Sequence, residues 1–133
     1  LAARGAGTEE AARELGTSGY AVHTVAFARF CFRRFGERPL EALQECISAG
    51  GDTDSIAAIL GAWLGARHGE AGLPGDLIAR LHDGPFGPSH LRALARAVAD
   101  GTPPPRYSWI GALARNLALY PVVLAHGFRR LLP

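Results

Sequence analysis

The sequence predicts an all-α fold. Three observations carry it: apolar residues recur at three- and four-residue spacing, no segment sustains two-residue alternation, and glycine and proline clusters punctuate the chain at helix-length intervals. The first helix is expected from Thr8 to about Glu14, with Thr8 as N-cap and Glu9 and Glu10 in the first turn, where the helix dipole favours acids. Gly16-Thr17-Ser18-Gly19 breaks it. A second helix, about Tyr20 to Phe35, carries Val22, Val25, Phe27, Phe30, Cys31 and Phe32 and is apolar nearly all round, which predicts burial. Pro39, a good first-turn residue, opens a third helix to about Ser48, with Leu40, Leu43 and Ile47 on one face.

The fourth helix starts at Asp52 and runs to about His68. Ile56, Ile59, Leu60, Trp63 and Leu64 form its core stripe, and Ala57, Gly61 and Gly65 make a row of small residues that predicts close approach of a neighbouring helix. Gly72-Leu73-Pro74-Gly75 ends this unit, and a short helix from about Asp76 to Leu81 follows. Asp83 to Pro88 reads as a loop. Ser89 is expected to cap a helix through Asp100, stopped by Gly101, before the stiff Thr102-Pro103-Pro104-Pro105 linker. The last helical piece, Ser108 to about Leu132, carries Trp109, Leu113, Leu117 and Tyr120 and is expected to break or kink at Pro121.

Composition narrows the function classes. A chain of 133 residues can hold one domain with a real core. The net charge of +2 does not argue for nucleic acid. The longest apolar stretch, Leu117 to Ala125, contains Pro121 and falls far short of the roughly 18–20 residues of a membrane span, so neither a nucleic-acid nor a membrane partner is expected. Cys31 and Cys46 have no zinc-site spacing; two buried reduced thiols and a cytoplasmic setting are the expectation. Leu1-Ala2-Ala3-Arg4-Gly5 lacks the apolar core of a signal peptide, and the absence of an initiating Met sets the expectation that Leu1 is not a natural start.

The chemistry concentrates in Gly50-Gly51-Asp52-Thr53-Asp54-Ser55. Two carboxylates two residues apart, with a hydroxyl beside the second, are hard oxygen ligands of the kind Mg2+ takes. On residues alone, ordinary helix capping by Asp and Ser competes with a metal site. A calcium loop is excluded, because the sixth and twelfth positions from Asp52 are Ala57 and Trp63 rather than Gly and Glu.

This run, extended through Ile56-Ala57-Ala58-Ile59 with Gly61-Ala62 and Gly65-Ala66, resembles the C-terminal metal motif of the ADP-ribosylglycohydrolase family. Upstream, Gly16-Thr17-Ser18-Gly19-Tyr20-Ala21-Val22 with Thr24 is similar to the family's Gly-x-Ser-Gly-Tyr loop. The resemblance covers about Leu15 to Gly101, leaving a linker at 102–106 and a helical tail at 107–133 whose His126-Gly127-Phe128-Arg129-Arg130 resembles a tail in some members. It implies a helical domain with a binuclear Mg2+ centre that hydrolyses the bond between ADP-ribose and a protein side chain, or acts on a related ADP-ribosyl small molecule. Carried over by motif, Asp52, Asp54 and Ser55 are metal ligands, with Ser55 in place of the commoner Thr. Ser18, Gly19, Tyr20 and Gly51 line the ADP-ribose site.

The departures are specific. The family's N-terminal Thr/Ser-Asp-Asp-Thr segment has no counterpart among Asp52, Asp54, Asp76, Asp83 and Asp100, none of which are adjacent, so the chain reads as the C-terminal part of such a protein, with little turnover on its own. His23 stands where members often carry an acid. The alternative is a non-catalytic structural or ADP-ribose-binding member of the same fold. The linkage cleaved and the oligomeric state are not encoded in these motifs.

Overall fold

A computed structural model describes residues 1–84 and 86–131; Pro85, in the expected 83–88 loop, and Leu132 and Pro133, at the expected end of the last helix, lie outside the described residues. The fold is all-α. Among the described residues there are seven helices and no strands: α1 (Thr8–Leu15), α2 (Ala21–Phe35), α3 (Pro39–Ser48), α4 (Thr53–His68), α5 (Gly75–Ala79), α6 (Pro88–Asp100) and α7 (Trp109–Leu131), with single 3-10 turns at Ala2–Arg4 and Glu70–Gly72. The chain divides into two units, Leu1–Ala79 and the remainder from Arg80.

The first unit is a three-helix core of α2, α3 and α4, each packed on the other two, with α1 laid against α2. Phe27 and Cys31 of α2, Ala42 and Cys46 of α3, and Ile56, Leu60 and Leu64 of α4 are fully buried, and Ala11 closes the α1 side. The α4 residues keep the spacing read from the sequence; Ile59 and Trp63 flank the stripe and pack at its edge. Phe27 stacks on Phe30 at 6.0 Å between ring centroids, and Trp63 meets Phe32 edge-on at 5.9 Å. Such ring pairs add packing specificity to the area they bury. Both cysteines are free and buried; a hydrogen bond to Cys46, together with burial, pushes the Cys31 thiol well above its ordinary range.

Several expectations change on the fold. Helix α2 is buried on one side only: Val22 and Val25 are exposed, because within this unit its neighbours cover the Thr24–Phe27–Cys31 side. Helix α3 turns Ala42 and Cys46 inward and leaves Leu40 and Ile47 out, since small side chains let it approach α2 and α4 closely. Within the first unit no helix packs on the two glycines of the small row, although Ala57 packs against the core: a Cβ at Gly61 would touch nothing within 4 Å, and one at Gly65 would meet only Leu73.

The helix ends differ as well. Gly7, not Thr8, is the N-cap of α1, and the Thr8 hydroxyl instead hydrogen-bonds Glu45 on α3, exchanging a local cap for a tertiary tie. His68 Nε2 donates to the Gly36 carbonyl at 2.6 Å, fastening the end of α4 to the end of α2, while Arg67 pairs with Glu37 beside it. Helix α5 is shorter than expected, ending at Ala79.

In the second unit the N-cap of α6 is Gly87 rather than Ser89, and its first turn is tied to Asp83. Asp83 Oδ1 accepts the Ser89 amide at 2.9 Å and its Oδ2 the Ser89 hydroxyl, bonds that hold this carboxyl below the ordinary carboxylate range. Gly101, in the left-handed region at φ 63°, terminates α6 as read from the sequence. Ser108 Oγ accepts the Gly111 amide at 3.1 Å at the start of α7, and that helix continues through Pro121 without a break. Proline removes one hydrogen bond from a helix, a loss the long flanking turns of α7 absorb.

Candidate functional site

The two sequence motifs meet at the N-terminal end of α4. The loop Gly16–Tyr20, between α1 and α2, lies against the Gly50–Asp52 turn that leads into α4. The Asp52 amide donates to the Thr17 carbonyl at 2.7 Å, and the Asp52 carbonyl accepts from Ile56 at 3.1 Å as the first bond of the helix. One residue therefore joins the loop to the helix start.

Glycine is required at the junction. Gly51 sits at φ 81°, and a Cβ there would lie 2.2 Å from the Thr17 carbonyl oxygen. Replacing Gly51 with Ala combines a left-handed backbone penalty of about 1–2 kcal/mol with a backbone clash. The expected result is a destabilisation of at least about 2 kcal/mol with the loop displaced from Asp52, measured by denaturant unfolding and by amide exchange at Asp52. Gly50→Ala, where a Cβ would meet nothing within 4 Å, carries the backbone penalty alone and is the milder control.

Gly19 approaches the carboxylate side: a Cβ on it would lie 3.0 Å from Asp52 Oδ2. Asp54 is exposed, and its carboxyl is held below the ordinary range by the neighbouring Asp52 side chain first, then by the backbone amides of Ser55 and Asp54. Ser55 is exposed next to it. Two carboxylates and one hydroxyl thus line a solvent-facing helix start. All are oxygen donors, and Mg2+ is commonly held by one or two carboxylates with water and phosphate oxygens completing its shell. The residues fit one such ion. No group of three His, Cys, Asp or Glu side chains able to hold a metal occurs among the described residues, so a second ion finds no further carboxylate there.

The loop itself is internally braced. Ser18 Oγ lies 2.9 Å from His23 Nδ1 and 3.3 Å from the Tyr20 amide. Both contacts are satisfied when the hydroxyl donates to Nδ1 and accepts from the amide. Thr24, the buried polar residue of the core, donates to the carbonyls of Ser18 at 3.1 Å and Tyr20 at 3.2 Å. The His23 ring fills the space where a Gly16 Cβ would stand and meets Tyr20 edge-on at 5.2 Å. Tyr20 keeps its ring in solvent at 63% exposure, which makes it a platform rather than a core residue.

Of the residues singled out in the sequence, Ser18, Gly19, Gly51 and Asp52 are brought together around Thr17. Tyr20 borders them, and Asp54 and Ser55 stand on the first turn of α4. The anchoring carbonyl of Thr17 was not legible beforehand, because a backbone contact leaves no residue-type signal. The brace by His23 carried a faint one, its spacing of five from Ser18 across a helix start.

Comparison with known proteins adds one match. A family model described as ADP-ribosylglycohydrolase aligns with residues 1–107, which include both motifs. No curated protein and no solved structure matches the chain.

Proposed function

The chain belongs to the ADP-ribosylglycohydrolase family, and from that premise we propose that it serves Mg2+-dependent hydrolysis of the bond joining ADP-ribose to a protein side chain, or of a related ADP-ribosyl compound. The observation that carries this reading is the seating of the Ser18-Gly19-Tyr20 loop on the carboxylate-bearing start of α4 through the Asp52–Thr17 bond. A phosphate-rich ligand on the loop then lies beside oxygen donors able to share a cation with it.

In this reading Asp52, Asp54 and Ser55 hold the metal, and Ser18, Gly19, Tyr20 and Gly51 border the ADP-ribosyl group. When bound, Mg2+ supplies positive charge opposite the pyrophosphate and Lewis acidity toward ribose oxygens. Gly19, lacking a side chain, lets the ligand approach Asp52. Tyr20 offers a ring face for stacking and a hydroxyl for hydrogen bonding. The two reduced core thiols support a cytoplasmic setting.

A second reading, binding of ADP-ribose without hydrolysis, is favoured by the absence of a third acid at the site among the described residues. Incubating the chain with ADP-ribosylated arginine peptide and Mg2+ separates the two. EDTA-sensitive release of ADP-ribose supports hydrolysis, slow with so few carboxylates; retention of the peptide without release supports binding alone; the absence of both release and retention contradicts an ADP-ribosyl site.

His23 acts in this scheme as a positioning residue, holding Ser18 and Tyr20 without touching ligand. His23→Ala is expected to weaken ADP-ribose binding about tenfold, the value of one neutral hydrogen bond with its packing, and to leave the response to Mg2+ unchanged. His23→Asn, whose amide can reach Ser18, should recover most of the loss. Equal affinity for all three proteins in calorimetric titration would show that the brace has no bearing on binding.

A further inference from the structure

Helices α2 and α4 end side by side, where His68 Nε2 donates to the Gly36 carbonyl. This is the opposite end of α4 from Asp52, about 24 Å away along the helix. Between the two ends lies a recess of about 300 Å3 lined by Phe32, Arg33, Arg34, Gly36, Glu37 and Arg67. Three guanidinium groups and one carboxylate border it. Glu37 pairs with Arg67, whereas Arg33 and Arg34 have no acid partner among the described residues.

We propose that this recess is an oxyanion site that takes the phosphate group of a small phosphate ester. Two of its cations are held in place by aromatic rings. Arg34 lies over the Phe35 ring at 5.5 Å and Arg67 over the Phe32 ring at 5.8 Å. Stacking on a ring face fixes the guanidinium plane and leaves the N–H groups along its edge for an anion. Glu37 is bonded to Arg67 through Nη2, so the rest of that fork stays available. The cations come from two helices. A tetrahedral phosphate presents oxygens in enough directions to accept from all three, while a planar carboxylate has two oxygens in one plane.

The field of the helix ends opposes an anion here without cancelling the cations. Each C-terminus carries about half a negative charge, which with Glu37 makes about −2 in total. Three guanidiniums exceed that, and Arg29, one turn back on α2 and also without an acid partner, adds a fourth. The helix dipole accounts for an arginine in the last turn of each helix. It does not account for their convergence on one hollow, where like charges repel and a bound anion relieves the repulsion.

The site is separate from the one at Asp52, and inorganic phosphate is the probe. In 1H-15N spectra of the full chain, the Nε–H signals of Arg33, Arg34 and Arg67 are expected to shift and saturate with a Kd on the order of 1 mM, with ionic strength held constant by NaCl. R33Q/R34Q should weaken binding at least about tenfold, as expected for losing charge-assisted bonds. R129Q/R130Q removes the same charge from α7 and should stay within about twofold of the parent. Asp52→Ala should bind phosphate as the parent does, whatever its effect on ADP-ribose. The substituted residues are exposed, apart from the half-buried Asp52, and circular dichroism checks that each variant stays folded. Absence of saturable shifts overturns the proposal. An equal loss in R129Q/R130Q would assign the effect to diffuse charge and overturn it too, as would acetate binding as tightly as phosphate.

Discussion

Asp52→Ala is expected to remove the protein's response to Mg2+ while leaving its fold in place. The backbone of residue 52 makes the structural contacts, donating to Thr17 at 2.7 Å and accepting from Ile56 at 3.1 Å, and alanine keeps both. Only the carboxylate, facing Gly19, disappears. The melting temperature without metal should therefore stay within about 2 °C of the parent, because Asp52, although the N-cap residue of α4, makes no side-chain capping bond. Apparent Mg2+ affinity should fall by at least about 100-fold, because the remaining donors are one carboxylate and one hydroxyl on the exposed first turn of α4. Asp52→Asn, which keeps an oxygen donor but not the charge, should fall between the two. A thermal-shift titration with MgCl2 reads all three proteins, and an unchanged response in Asp52→Ala would mean that residue 52 is only a helix cap.

Phe27→Ala should be the most destabilising change in the first unit. Phe27 is fully buried and stacks on Phe30 at 6.0 Å, inside the core where α2 meets α3 and α4. Deleting a buried phenyl ring costs about 3–5 kcal/mol, from lost transfer energy and the cavity left behind. Domains of this size are stable by roughly 5–15 kcal/mol in total, so the variant sits near the edge of folding. A fall in melting temperature of about 15 °C or more is expected. Val25→Ala, two residues away but exposed, should change stability by less than about 0.5 kcal/mol. Denaturant midpoints compare the pair; a loss below about 1 kcal/mol in Phe27→Ala would place the core elsewhere.

Much of this molecule was legible from residue order. The α4 stripe is explicit in its spacing, Gly101 marks the end of α6, and the two glycine-bearing motifs of the candidate site stand out in the sequence. What was not legible depends on neighbours. Val22 and Phe27 are both apolar residues of α2, and only the position of α3 and α4 decides that one faces water and the other the core. On α3 the burial of Cys46 was expected and Leu43 does reach the core, but Leu40 and Ile47 were expected inward because of their hydrophobicity, whereas close helix packing selects the smaller Ala42 beside Cys46. Capping was misplaced where a longer-range partner won, Glu45 for Thr8 and Asp83 for the Ser89 amide. At the site, the residue types named the donors, but the Thr17 carbonyl that seats them is a backbone atom and invisible to any motif.

We propose that the Ser18–Tyr20 loop and the Asp52–Ser55 helix start form one ADP-ribosyl site that works with Mg2+. Calorimetric titration of ADP-ribose into the chain, with and without Mg2+, tests it directly. Measurable binding that strengthens with Mg2+ and is lost in both Asp52→Ala and Tyr20→Ala is the predicted result. Binding that is absent under both conditions, or that is the same in the parent and the two variants, would contradict it.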